Sequence, residues 1–208
     1  MSDLIFYTNP MSRGRTVRWI LEEIGQLYET ILLDYETSLK SPDYLAINPM
    51  GKVPAIKHGD TVVTESAAIC AYLADAFPQA GLAPPLGDRR RGPYFRWLFF
   101  TAGPLESAAL GKSMGLLAPP DKSGMAGYGV YEHVVDVMEG AVSGGGFLCG
   151  DRFTAADLYA AAFLGFATSF DMVPKRQAIM DFVARATDRP AYRRAAEIDA
   201  AAMSTEPA

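Results

Sequence analysis

The sequence predicts a small α/β domain over residues 1–80 followed by an all-helical domain, on three observations. Short apolar runs of strand type alternate with helical periodicity through the first part of the chain. Residues 81–87, GLAPPLG, have the proline and glycine composition of a linker, and beyond them apolar residues recur only at helical spacing. With 208 residues, half of them hydrophobic, the chain can bury a sizeable core.

Leu4 to Tyr7 is an apolar run ended by Thr8-Asn9-Pro10, which predicts a buried strand stopped by a loop. A helix follows within SRGRTVRWILEEIG: Val17, Ile20, Leu21 and Ile24 share one face, Ser12 stands as N-cap and Gly25 as the stop. Tyr28 to Leu33 reads as a second strand, and a β-α-β unit of this size implies parallel pairing. Pro42 to Ile47 predicts a short helix. Val53 to Lys57, the Gly59-Asp60 turn and Thr61 to Thr64 predict a hairpin. Glu65-Ser66 then opens a helix with Ile69, Tyr72, Leu73 and Ala76 on one face, stopped by Pro78.

Beyond the linker, residues 88–208 predict helices from about Asp88 with a break at Gly103-Pro104 and from about Tyr128 to Val142, with Tyr131, Val134, Val135, Met138 and Val142 in period. A third opens at Thr154, where Asp157 completes a capping box and Phe153 and Leu158 a hydrophobic staple. Two more span Lys175 to Thr187 and Pro190 to Met203.

The net charge of −5 argues against a nucleic-acid partner, and the one basic run, Arg89 to Arg91, reads as solvated helix surface or salt-bridging. No apolar run reaches the roughly 20 residues that span a bilayer, and the N-terminal stretch carries a carboxylate where a signal peptide needs cations, so a cytoplasmic location without membrane contact is expected. Cys70 and Cys149 stand far apart among apolar neighbours, which predicts neither a disulfide framework nor a metal site.

The β-α-β-α-β-β-α order, with N-P-x-G-x-V-P at residues 48–54 before the third strand, Glu65-Ser66 opening the last helix and F-T-x-x-D at residues 153–157, resembles the glutathione S-transferases, bacterial members among them, over nearly the whole chain. The resemblance implies a thioredoxin-like domain, glutathione as co-substrate, no metal, and transfer of the glutathione thiol to a small hydrophobic electrophile. A glutathione-dependent peroxidase or disulfide reductase, and a non-catalytic interaction module of the same fold, are the competing readings; retention of Val53, Pro54, Glu65 and Ser66 disfavours the last.

The proline matching Pro54 is cis in that family, and the residue before it, here Val53, docks the cysteinyl main chain of glutathione as an added strand. Charge argues for the other contacts. The helix start at Ser66 suits the γ-glutamyl carboxylate, Glu65 pairs with the amine or holds the loop, and Lys52 or Lys40 takes the glycyl carboxylate, with Lys52 favoured. Where the bacterial members carry a cysteine, this chain has Ser12, like the members that use serine to hold the thiolate by a hydrogen bond; Tyr7, Asn9 and Arg13 are the other donors in reach. The second-substrate pocket is expected at Met11, Pro104 and Ser107, and Trp97, Phe99 and Phe100 read as core or interface. A homodimer is implied, with Met50 in place of the aromatic knob that some members insert into the partner subunit.

Overall fold

The computed structural model describes residues 3–204, which form two units: the residues up to Ala80 together with those from Arg189 on, and Gly81–Asp188. The first unit is built on a four-stranded sheet of β1 (Leu4–Thr8), β2 (Glu29–Leu32), β3 (Ala55–His58) and β4 (Thr61–Thr64), in the order β2-β1-β3-β4. β2 runs parallel to β1, as the intervening helix α1 (Gly14–Ile24) requires, and the β3–β4 hairpin adds to β1 antiparallel. Helices α2 (Pro42–Ile47) and α3 (Ser66–Ala76) complete the anticipated order. The period of two along β1 separates the layers: Phe6, opposite Ile56, lies under the Arg18 guanidinium of α1, while Tyr7, opposite Ala55, packs on the other face with Leu33, Leu39 and Tyr44. On α3 the buried stripe is Ile69, Cys70, Leu73 and Ala74. Tyr72, expected inside, is only half-buried and uses its hydroxyl on His58 Nδ1 at 3.0 Å, because a polar tip is cheapest to keep near the rim.

The second unit is all helical. Residues 81–87 carry no regular structure, yet Leu82 is buried and its carbonyl accepts the Ala155 N–H at 2.7 Å. Helix α4 (Arg91–Phe100) runs on through a π-helical turn (Thr101–Leu105) into α5 (Glu106–Met114). The break expected at Gly103-Pro104 is therefore a widened turn. Pro104 has no N–H to return to the preceding turn and its ring crowds that carbonyl, and one extra residue per turn relieves both faults without ending the helix. Helix α6 (Tyr131–Val142) buries all five residues read from its period. Helix α7 (Ala155–Ser169) starts at the anticipated cap, where Asp157 accepts from the Thr154 N–H (2.8 Å), the Thr154 hydroxyl (2.7 Å) and the Leu148 N–H (2.6 Å). Burial holds the Asp157 carboxyl above its ordinary range against these donors. Helix α8 (Gln177–Thr187) completes this unit.

Helix α9 (Pro190–Ser204) belongs with the first unit, although a boundary drawn at residues 81–87 would assign it to the second. It packs on the side of α1 that reads as polar in sequence. Arg18 is 2 % exposed, donates to Asp199 Oδ1 at 3.1 Å and to Thr30 Oγ1 at 2.9 Å, and lies over the rings of Phe6 and Tyr28. Further along, Glu22 meets Arg194, Glu23 takes a two-pronged contact from Arg189 at 2.6 and 2.8 Å, and Trp19 packs edge-on against Tyr192. Desolvation raises the Asp199 carboxyl in spite of Arg18, so the pair is held by geometry rather than by a large electrostatic surplus. Removing one partner of such a pair is costly, because the other charge stays buried. Asp199→Ala is expected to destabilise the protein by about 3–5 kcal/mol, and Asp199→Asn, which keeps an acceptor for Arg18, by clearly less. Urea unfolding checks this, and an Asp199→Ala midpoint equal to that of the parent chain would show that Arg18 is not stranded.

Candidate active site

Strand register decides which loops meet. Ala55 pairs with Tyr7 on one side and with Thr64 on the other. Beyond that rung, β1 runs out into residues 9–13, Val53 and Pro54 lead into β3, and β4 passes into Glu65 and Ser66, so all three segments lie at one end of the sheet. β2 ends there too, since it is parallel to β1 with Thr8 opposite Leu32.

Asn9 organises the first segment. It is buried; Nδ2 donates to Leu33 O at 2.9 Å, Oδ1 accepts the Met11 N–H at 2.8 Å, and its carbonyl accepts both the Ser12 N–H (3.1 Å) and the Ser12 hydroxyl (2.6 Å). Ser12 Oγ in turn accepts the Gly14 N–H at 2.9 Å. Ser12 is thus not the N-cap of α1; Arg13 holds that position, and the serine closes a local turn one residue earlier, as short hydroxyl side chains do. Tyr7, the other hydroxyl near the end of β1, points into the cluster around Tyr44, and burial, then Glu29, pushes its pKa up. Gly14 is required by close approach: a Cβ there would lie 1.9 Å from Thr8 Oγ1 and 2.9 Å from Ser12 Oγ.

In the second segment, β3 begins at Ala55, two residues later than Val53, and the Val53–Pro54 bond is cis. The Val53 main chain makes no hydrogen bond among the described residues. The carbonyl before it does: Lys52 O accepts the Tyr44 hydroxyl at 2.6 Å and Asn48 Nδ2 at 2.7 Å. Lys40 reaches back to the same loop, with Nζ 2.7 Å from Gly51 O and 3.4 Å from Met50 O, whereas the Lys52 side chain is exposed. Gly51 has φ 55°, and a Cβ there would press on Lys40 Nζ. In the third segment, Glu65 holds φ 64°, a region side-chain-bearing residues avoid, and makes no capping bond to α3; Ser66 is the first residue of that helix.

Met11 and Met50 are each 70 % exposed in the first unit. In the second, Pro104 lies in the π-helical turn and Ser107 is exposed on α5, while Trp97 is buried, Phe100 half-buried and Phe99 exposed. Burial pushes the Cys70 thiol up to about 12, and burial with Asp157 takes Cys149 to about 11, so neither is a thiolate at neutral pH. No metal-binding cluster and no helix long and apolar enough to cross a membrane occur among the described residues. The roles of Asn9, Gly14, Tyr44 and Asn48 as supports were not read from sequence, although Asn48 opens the motif at residues 48–54 and could have drawn attention.

Residues 2–75 match the family described as glutathione S-transferase, N-terminal domain, and residues 129–190 the corresponding C-terminal domain. Glutathione S-transferase 3 of Zea mays is 32 % identical over 168 residues, 76 % of this chain and 75 % of that one. A glutathione transferase from Methylococcus capsulatus superposes with a TM-score of 0.78 at 29 % identity, over 95 % of this chain and 99 % of that one. A sphingomonad glutathione S-transferase complexed with glutathione does so at 0.75 and 25 %, over 94 % and 98 %.

The packing of Gly14 generates a direct test. Gly14→Ala is expected to cost about 1–3 kcal/mol, because the methyl group must displace Thr8 or the start of α1. Thermal unfolding measures it, and an unshifted midpoint would mean that the turn gives way freely.

Proposed function

The chain belongs to the glutathione S-transferase family, and from that premise we propose that it binds glutathione at the sheet end formed by Ser12, Val53 and Ser66, stabilises the thiolate and transfers it to a small hydrophobic electrophile. The single observation that carries this reading is the unpaired main chain of Val53 beside the cis-Pro54, next to the open start of α3. An extended tripeptide docks on such an edge through its own main chain. The γ-glutamyl carboxylate suits the α3 N-terminus at Ser66, where free N–H groups carry partial positive charge, and Glu65 meets the amine. For the glycyl carboxylate Lys52 is the better cation, because Lys40 already serves the Gly51 carbonyl.

Ser12 is the donor to the sulfur. Its proton rests on Asn9 O, so serving a thiolate exchanges a bond to a neutral carbonyl, about 0.5–1.5 kcal/mol, for one to a charged atom, about 1.5–3 kcal/mol. The net gain is about 1 kcal/mol, and the N-terminus of α1 adds roughly 0.3–1. Against a free thiol near 8.5, these bring the bound thiol to about 7–8. The Gly14 N–H on Ser12 Oγ polarises the hydroxyl in the useful direction. The thiolate then attacks the electrophilic carbon, a C–S bond forms, and the leaving group departs with its bonding pair. A serine donates a hydrogen bond and cannot form a mixed disulfide, and the two cysteines, Cys70 buried and Cys149 half-buried, have raised pKa values, which supports transfer over disulfide reduction.

The protein is assigned to the cytoplasm, and the working form to a homodimer in which the exposed Met50 enters the partner subunit.

Isothermal calorimetry is expected to give sub-millimolar glutathione affinity, and no heat at millimolar glutathione would end the proposal. Activity toward a model aryl halide is expected to rise with pH through the thiol pKa, since the thiolate is the reactive form. Ser12→Ala is expected to move that limb up by about one unit; an unmoved limb would return Ser12 to a purely local role. Met50→Asp is expected to shift sedimentation toward monomer, and a parent chain already monomeric at micromolar concentration would refute the dimer.

A further inference from the structure

The carbonyl of Lys52 is saturated by two buried side chains, although Lys52 itself is exposed. Tyr44 and Asn48, the two donors, are 3 % and 4 % exposed. Both are locked in turn: the Tyr44 ring packs on Tyr7 at 5.7 Å, the Asn48 N–H returns to Tyr44 O at 2.8 Å, and Asn48 Oδ1 accepts the Met50 N–H at 3.1 Å. One donor would satisfy the carbonyl. Two, converging from α2 and the residue that ends it, fix the direction of the whole peptide plane.

That plane also carries the Val53 N–H. The Lys52–Val53 bond is trans, so its N–H points opposite to its C=O. With Lys52 O drawn toward α2, the Val53 N–H is turned away from α2 and has no partner among the described residues. We propose that Tyr44 and Asn48 are positioning residues for glutathione: by clamping Lys52 O they hold the Val53 N–H in the orientation that an added strand requires. This rests on the glutathione reading above. Holding the donor in place before binding removes an ordering cost from association, and the effect falls on affinity for glutathione rather than on the chemical step.

The test uses the full chain with Tyr44→Phe, which keeps the ring in its cluster, Asn48→Asp, which keeps the acceptor for Met50, and the double variant. Each single change is expected to raise the glutathione Kd and KM about threefold to tenfold, the range of one lost hydrogen bond, and the double change more than either. The kcat and the KM for the electrophile are expected to stay within about twofold, a split that general loosening of the fold would not produce. The order parameter of the Val53 N–H, measured by amide relaxation without ligand, is expected to fall in each variant. A folded double variant with unchanged Kd and an unchanged Val53 order parameter overturns the proposal, as does a loss confined to kcat. If the double variant fails to fold, Tyr44→Phe alone decides by the same two readouts. Should the parent chain bind no glutathione, the functional reading falls, while the ligand-free order-parameter comparison still tests the clamp.

Discussion

Everything at the candidate site depends on one rung of the sheet, where Ala55 pairs with Tyr7 and Thr64 at once. Strand pairing has a period of two, so a slip by one residue would carry Tyr7 to the opposite layer and move the Ser12 turn away from Val53 and Ser66. Tyr7 pins the register from one side, through its place among Leu33, Leu39 and Tyr44; Phe6 pins it from the other, beneath Arg18. The loops need little rigidity of their own, because hydrophobic packing several residues away has already chosen where they start.

The parts of the site are individually weak. In the proposed reading, a serine hydroxyl, a helix end, an open peptide edge and a lysine would each contribute on the order of 1 kcal/mol. What distinguishes them is arrangement in advance: Asn9 holds the Ser12 turn with three hydrogen bonds and anchors it to Leu33 with another, and Lys40 commits its charge to the loop that carries Met50. The protein's own thiols are kept neutral by burial, with Asp157 adding to it at Cys149.

Much of this was legible in the residues, and the failures are instructive. The order of the first seven elements, the α6 stripe and the Thr154–Asp157 cap follow from period and punctuation, because each is decided within a few residues of chain. Pro54 could be recognised as a special position because a proline in a strand pattern demands an explanation. Gly103-Pro104 misled, since a local rule says that proline ends a helix and a long helix can instead absorb it in one wide turn. Ser12 as N-cap misled by one position, which is within the blur of any helix start. Arg18 was out of reach altogether: on α1 it looks like a solvated cation, and only Asp199, 181 positions later, makes it a buried one.

That separation has a consequence for how the polypeptide is made. When the first eighty residues have emerged from a ribosome, they hold every strand of the sheet but not Arg189 and the helix after it, which meet Arg18, Trp19, Glu22 and Glu23. The nascent first unit therefore carries an uncovered charged seam through synthesis of the entire second unit and closes it only when the last helix arrives. Lengthening the intervening chain adds little to this closure, since the entropy of a loop grows only with the logarithm of its length. A truncation that removes the last helix removes much more, because it leaves the newborn sheet open on the flank it was waiting to have sealed.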